Sequence, residues 1–175
     1  MSVTLYVPRD AVALGLGANK VARALFAGAE RRGLDVTIVR TGSRGLFWLE
    51  PMVEVATPEG RVAYGPVTLK DVDALLDGGL LTGGEHSLRL GNPEEIPFLA
   101  KQQRLTFHRC GVIDPVSVED YRAHGGYRGL EAALAAGPAG AAGSGGSATV
   151  NVTVRWQPAS PSSRKLTACS PGSTP

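Results

Sequence analysis

Residues 35–64 read DVTIVRTGSRGLFWLEPMVEVATPEGRVAY, and they contain most of the strand and turn signals of the chain. It opens with a β-branched run at 35–39, which predicts a strand, and the glycine-containing stretch at 41–45 predicts a loop. Two more strands are predicted at 52–56 and 61–64, where β-branched and aromatic residues are frequent. A Thr-Pro-Glu-Gly turn joins these two strands, so the pair is expected to form a hairpin.

A strand and a helix are predicted before this stretch. Residues 3–7, Val-Thr-Leu-Tyr-Val, alternate as a strand does, and Pro8 ends the alternation. From Asn19 to about Arg32 the apolar residues recur at helical spacing, and Gly33 is the predicted C-cap. The side chains expected to share one core are Val21, Leu25, Phe26, Val36, Ile38 and Val53.

A second helix is predicted after the hairpin. Thr68 is its expected cap, Asp71 lies near its start, and it covers about 69–76 before a Gly-Gly pair ends it. A strand–helix–strand opening gives a parallel pair by the right-handed crossover rule, and the hairpin then adds antiparallel strands. We therefore predict an α/β fold, a thioredoxin-like sandwich in its compact ferredoxin version.

The chain from residue 80 to 111 is less regular. A short helix is predicted from Glu94 to about Lys101, since the first turn of a helix tolerates Pro97. Residues 105–111, LTFHRCG, resemble a strand, and Cys110 within them is expected to be a buried apolar group.

Residues 112–130, VIDPVSVEDYRAHGGYRGL, carry clear helix signals. Pro115 removes its predecessor from the α region, and Ser117 with Asp120 three residues on predicts a capped helix start. A Gly-Gly pair at 125–126 ends that helix, because glycine accepts the left-handed cap. A second short helix is predicted over Tyr127–Ala136.

Charge is distributed unevenly along the 175 residues, whose formal net charge is +2. The 39 residues from 137 onward hold no Asp or Glu, carry three basic side chains, and are rich in Ser, Gly, Pro and Thr. We expect this segment to be a low-complexity, disordered tail in which only 150–156 resembles a strand. No basic stripe with interleaved aromatics occurs, which argues against nucleic-acid binding.

Cysteine usage and hydropathy predict the compartment. The two cysteines, Cys110 and Cys169, form no C-x-x-C pair or framework, so a reduced cytoplasmic setting is expected. The first ten residues do not have the pattern of a signal peptide. No window approaches the ~18 apolar residues of a spanning helix, so no membrane insertion is expected.

The loop at 41–47, Thr-Gly-Ser-Arg-Gly-Leu-Phe, resembles a cluster-binding loop. Thioredoxin-like [2Fe–2S] ferredoxins read T-G-C-x-G-x-C at this place, before a similar proline-led strand. Ser43 and Phe47 stand where the two thiolates would be, and 11–22 also lacks cysteine. Such a cluster needs thiolate or imidazole ligands, generally four, so we expect a domain without one. The alternative interpretation is a plain strand–loop–strand in which glycine serves the turn.

Residues 105–131 resemble the entry segment of the NADH-binding, FMN-bearing subunits found in respiratory complex I, NAD-reducing hydrogenases and NAD-dependent formate dehydrogenases. A fused N-terminal thioredoxin-like domain fits the formate dehydrogenase beta subunit best. The resemblance implies a thioredoxin-like domain without cluster cysteines at 1–91, an entry segment at 92–136 and a tail at 137–175. The implied partners are a ferredoxin-like [2Fe–2S] gamma-type subunit and a formate-oxidising alpha-type subunit.

The resemblance also sets expectations for activity. The full-length family carries FMN, NAD and a [4Fe–4S] cluster, and it exchanges hydride between NAD and FMN. The glycine-rich flavin loop expected after the entry segment is not found, and Gly143–Gly146 lacks its arginine and Phe-Pro. We therefore expect a truncated or frameshifted subunit, inactive alone, with no cofactor and no catalytic, cofactor-binding or metal-binding residue. The alternative is a non-catalytic thioredoxin-like interaction module that docks a ferredoxin-like partner.

Other possible sites are weaker. Gly15–Lys20 lacks both the G-x-G-x-x-G and the Walker spacing, so it is interpreted as a helix-entry loop. His86, His108 and His124 have no partner at metal-ligand spacing and are expected to be packing or surface side chains.

Overall fold

A computed structural model describes residues 2–143 of the chain. The predicted strand at 150–156 and Cys169 lie outside these residues, as does the predicted disordered tail apart from 137–143, which is helical. The chain divides into two compact units, Met1–Gly129 and Leu130–Pro175. The first unit holds the whole sheet. The predicted boundary at residue 91 stays a prediction.

The first unit alternates strands and short helices. Its strands are β1 (Val3–Pro8), β2 (Val36–Thr41), β3 (Val53–Thr57), β4 (Gly60–Tyr64) and β5 (Arg89–Gly91). Its helices are α1 (Ala11–Gly15), α2 (Ala18–Arg31), α3 (Val72–Asp77), α4 (Pro97–Ala100) and α5 (Val118–Ala123), with 3-10 turns at Phe47–Leu49, Leu80–Thr82 and Pro93–Glu95. Helix α6 (Arg128–Gly143) follows and is interrupted at Gly137, where φ is +66°.

The five strands form one mixed sheet in the order β2-β1-β3-β4-β5. β1 and β2 run parallel from Val3 opposite Val36 to Pro8 opposite Thr41. β3 pairs antiparallel with both β1 and β4, and β5 adds to β4. This arrangement of strands and helices is a thioredoxin-like, ferredoxin-type sandwich, so the predicted fold class is confirmed. The expected Thr-Pro-Glu-Gly hairpin is also present.

The main core lies between the sheet and the helices α2 and α3. Helix α2 buries a stripe at the i, i+4 and i+8 positions Val21, Leu25 and Ala29. Phe26, which was predicted to share this core, is 46% exposed. The prediction was wrong because residue 26 lies one position, or about 100°, beyond the centre of the buried stripe. Ile38 is only partly buried against the core, whereas Val36 and Val53 are buried as expected.

Residues 105–111 do not form the predicted strand. They lie in successive turns, and Leu105 and Phe107 are among the most exposed apolar side chains. Cys110 is exposed rather than buried. The alternation of residue types was misleading, because none of the strands described within residues 2–143 pairs its backbone with this run.

Three predicted helices hold with changed bounds. The helix predicted after Thr68 begins at Val72, with Asp71 at its N-cap. Thr68 is not the cap that was predicted, because its amide and hydroxyl donate to the Asp71 carboxylate. The Glu94–Lys101 helix divides in two at Ile96, whose extended ψ of 125° is favoured by the proline that follows. Ser117 caps α5 by accepting from the Asp120 amide, as predicted. None of the helices described between residues 2 and 143 has the length and apolarity to cross a membrane.

Candidate functional site

The loop between β2 and β3 contains both positions at which cluster thiolates were sought. It leaves the sheet beside the end of β1, where the Arg9 amide donates to the Thr41 carbonyl at 2.8 Å. Its side chains face two ways. Ser43, Arg44 and Leu46 turn toward protein, while Phe47 and Trp48 turn toward solvent. The two faces have different chemistry.

Ser43 stabilises the loop by hydrogen bonds. Its hydroxyl donates to Glu50 Oε1 at 2.9 Å and accepts from the Gly45 amide at 2.9 Å. The other carboxylate oxygen of Glu50 accepts from the Met52 amide at 3.0 Å. Burial raises the pKa of Glu50, although both hydrogen bonds oppose that shift. Ser43 therefore acts here as a turn-forming hydroxyl.

Phe47 begins the 3-10 turn that ends at Leu49, and its ring is 55% exposed. Trp48 beside it is 60% exposed and meets the ring of Phe98 edge to face, with centroids 5.2 Å apart. We call Phe47, Trp48 and Phe98 the aromatic face. Leu46, at the base of the same turn, is fully buried in a small second core with Met52 and Leu99. That core fixes the position of the exposed rings.

Arg44 is the buried centre of an ion network. Its guanidinium binds Glu54 through two bonds of 2.5 and 3.0 Å, and binds Glu94 at 2.6 Å. Glu94 also accepts from Arg104 at 2.7 Å, and Glu54 accepts from Arg61 at 3.2 Å. We call this five-residue network the arginine clamp. It joins the loop to β3, to β4 and to the chain that follows β5.

Arg61 extends the clamp to the backbone of a distant segment. It donates to the Gly111 carbonyl at 3.2 Å and to the Val112 carbonyl at 2.7 Å. Its guanidinium carbon lies 3.4 Å from the centre of the Tyr6 ring, which is stacking distance for a cation–π contact. Gly111 itself packs against the Arg44 side chain.

The charges of the clamp are mutually stabilised. Burial alone would lower the pKa of Arg44, but the hydrogen bonds and charges of Glu54 and Glu94 outweigh it, and the pKa is raised. Burial would also raise the pKa of Glu94, but Arg44 and Arg104 together lower it. Both groups are therefore held in their charged forms at neutral pH.

The donor set of the loop does not fit an iron–sulfur cluster. It offers one hydroxyl that is already engaged with Glu50 and one phenyl ring, where thiolate or imidazole ligands are needed. Within residues 2–143, no three His, Cys, Asp or Glu side chains are grouped to hold a metal ion. The expected absence of a cluster stays a prediction, with its own test below.

The remaining sequence candidates stay separate from this loop. Gly17 precedes α2 with φ of +101° and has no side-chain cap, which agrees with a helix-entry loop at Gly15–Lys20. Each histidine hydrogen-bonds within its own segment, His86 to the Leu88 amide, His108 to the Leu105 carbonyl and His124 to the Asp120 carbonyl.

Sequence reasoning missed the clamp and the aromatic face. An arginine inside a glycine-rich loop ordinarily indicates a solvated side chain. A usable signal was present in β3, where Glu54 stands between Val53 and Val55 in a strand buried on both faces. A buried carboxylate requires a cationic partner, which Arg44 provides.

Comparisons with known proteins give limited likenesses. No protein-family profile and no curated protein matches the chain. The thioredoxin-like [2Fe–2S] ferredoxin from Aquifex aeolicus is similar over 52% of this chain and 98% of its own, with 24% identity and a TM-score of 0.42. A cysteine-to-serine variant of that ferredoxin gives 26% identity over 51% of this chain and 99% of its own, with a TM-score of 0.43.

Proposed function

We propose that this chain provides a non-catalytic, thioredoxin-like docking domain of an NADH-linked, FMN-bearing oxidoreductase subunit, of the formate dehydrogenase type. One observation carries the proposal. The 41–47 loop turns Ser43 and Arg44 inward, where they bind Glu50 and Glu54, and it turns Phe47 outward beside Trp48. Such a loop is suited to contact another protein rather than to carry electrons.

The inward half of the loop argues against chemistry at this place. Each nitrogen of the Arg44 guanidinium donates to one of two carboxylates, and the Ser43 hydroxyl is engaged by Glu50. A nucleophilic or acid–base role needs a group within hydrogen-bond reach of a reacting atom. Side chains that are satisfied and turned inward do not meet that condition.

The outward half has the composition of an interaction surface. Aromatic residues are enriched at protein interfaces, and tryptophan is prominent among the residues that dominate binding energies. Trp48 and Phe98 hold each other edge to face, so little side-chain freedom remains to be lost on binding. The partner that the resemblance suggests is a ferredoxin-like [2Fe–2S] subunit, which would then pass electrons to a formate-oxidising subunit.

Affinity measurements with substituted surface residues test the docking role. Purified chain is titrated with the [2Fe–2S] subunit encoded in the same genome, and binding is followed by calorimetry. Trp48→Ala is expected to weaken binding at least tenfold, since it removes a central anchor. Phe26→Ala is the matched control, because Phe26 is a similarly exposed ring on α2, and it should change affinity less than twofold.

Two outcomes would count against docking through the aromatic face. One is absence of binding by the unsubstituted chain, and the other is an equal loss of affinity in both variants. A titration with FMN separately tests whether the domain is non-catalytic. Micromolar or tighter one-to-one FMN binding, together with NADH-dependent ferricyanide reduction, would make the chain a minimal flavoprotein instead.

A further inference from the structure

Residues 104–126 are attached to the sheet at few places. Helix α5 within this stretch has no buried residue, and the turns at 105–110 are largely exposed. The buried residues of this stretch are Gly111, Ile113 and Gly126, of which Gly126 lies against Tyr121 of the same stretch. The arginine clamp binds the stretch at Arg104 and at the carbonyls of Gly111 and Val112. We call residues 104–126 the arm. Its attachment is concentrated where it crosses Arg44 and Arg61.

Close packing at Gly111 leaves no room for a side chain. A Cβ placed on this residue would lie 2.2 Å from Arg44 Cγ, which is inside van der Waals contact. Arg44 cannot move aside without cost, because its guanidinium is held by Glu54 and Glu94. Only glycine permits the arm's backbone to approach the clamp this closely.

The clamp also provides the arm with hydrogen-bond donors, and these are side-chain N–H groups of Arg61. The carbonyls of Gly111 and Val112 accept from Arg61 instead of from a neighbouring backbone amide. The Tyr6 ring and the Glu54 carboxylate fix the Arg61 guanidinium on its other sides. The donors are therefore held in position by β1 and β3.

We infer that the arginine clamp is a latch whose occupant is the chain's own Gly111–Ile113 segment, and that it fixes the arm on the thioredoxin-like sheet. Gly111 and Arg61 are positioning residues in this device. The arm docks as one unit when its carbonyls meet Arg61, and it is released when either the close approach or the donors are removed. This inference does not depend on the identity of any partner protein.

Amide hydrogen exchange with a pair of glycine variants tests the latch. Gly111→Ala and Gly91→Ala introduce the same side chain at two residues that share a φ of +77°, so the backbone strain is matched. A Cβ at residue 91 would meet nothing within 4 Å. Exchange is read by mass spectrometry on peptides from the arm, with peptides from β1 and β3 as internal reference.

We expect Gly111→Ala to accelerate exchange across α5 and residues 111–116 at least tenfold, while the β1 and β3 peptides stay within twofold of the unsubstituted protein. Gly91→Ala should leave the arm within twofold. Equal acceleration of the arm in both variants would overturn the latch, and so would an arm that exchanges without protection in the unsubstituted protein.

A second variant keeps the test decisive if Gly111→Ala does not fold. Arg61→Met removes the donors and keeps an apolar stem of similar length over Tyr6. It should release the arm to the same extent, with the sheet still protected. An arm that stays protected in Arg61→Met would show that apolar contacts at Ile113 hold it without the latch.

Discussion

The main core under α2 and the Arg44–Glu54 centre of the arginine clamp are both buried, but different forces hold them. The core joins fully buried apolar side chains such as Leu5, Leu25 and Val55, and it is held by the removal of apolar surface from water. The clamp joins three arginines and two glutamates, and it is held by bonds of defined length and direction. The core therefore tolerates substitution by apolar side chains of similar shape, whereas the clamp does not tolerate substitution of its charged members.

The difference separates stability from positioning. Apolar burial contributes roughly in proportion to area and does not select one orientation of a neighbouring segment. A buried ion network contributes little net stability over an apolar replacement. Removing one member nevertheless destabilises the folded protein strongly, because a buried charge is left without a partner. We therefore assign the fold to the core, and the placement of the loop and the arm to the clamp.

Loss of Arg44 is expected to have the largest effect. Arg44→Met leaves Glu54 buried without its main partner, and breaking a buried ion pair costs about 3–5 kcal/mol. Chemical denaturation should show this loss as a lower free energy of unfolding. The double variant Arg44→Met/Glu54→Leu should be more stable than Arg44→Met alone, because the buried Glu54 carboxylate is no longer left without its main partner. A double variant that loses the sum of both single losses would contradict this description of the clamp.

Truncation in the core is expected to have the next largest effect. Leu25→Ala removes a fully buried side chain at the centre of α2 and should cost about 2–5 kcal/mol. Phe26→Ala removes a larger side chain next to it, yet should cost less than about 1 kcal/mol because Phe26 is nearly half exposed and lies outside the buried stripe. Thermal unfolding of both variants would rank them. A greater loss of stability in Phe26→Ala than in Leu25→Ala would show that α2 buries a different face from the one described.

Protonation of Glu50 is expected to have the smallest effect. Burial raises the pKa of Glu50, so the folded state holds this proton more tightly than the unfolded chain does. Its contribution to stability is present at low pH and is lost as pH rises through the raised pKa. Glu50→Gln should remove that loss, by an amount on the order of 1 kcal/mol or less. The unfolding free energy of both proteins is measured between about pH 4 and 8, the range in which a raised carboxyl pKa acts. It should depend less on pH in Glu50→Gln than in the unsubstituted protein. An unchanged slope would contradict the shift.

Local signals in the sequence were enough to predict four of the five strands, but not the three-residue β5, which is too short to show an alternation. The alternation of Val3–Val7, the Thr-Pro-Glu-Gly turn and the Ser117 cap each depend on neighbours within a few residues. Periodicity also located α2 correctly, but it misplaced Phe26, because the width of a buried stripe depends on what packs against the helix. The strand predicted at 105–111 failed for a related reason, since a strand exists only where another strand can pair with it.

The site depended on contacts that the sequence does not display. Arg44 and Glu94 are fifty positions apart, and nothing local to either residue indicates the other. Gly111 resembles any loop glycine until the Arg44 side chain is placed against it. The loop at 41–47 was located by its likeness to a cluster-binding loop. That likeness directed attention to Ser43 and Phe47, the two positions where thiolates would stand. The residue between those positions, Arg44, determines how the loop is held.

Iron uptake distinguishes a 41–47 loop that protein groups alone hold in place from a loop built around a cluster. The purified chain is incubated anaerobically with ferrous iron and sulfide, desalted, and assayed for iron, visible absorption and unfolding midpoint. We predict no stoichiometric iron, no charge-transfer band and an unchanged midpoint, because Ser43 and Phe47 offer no thiolate and the clamp is already complete. Stoichiometric iron with a visible band and a raised unfolding midpoint would contradict this prediction.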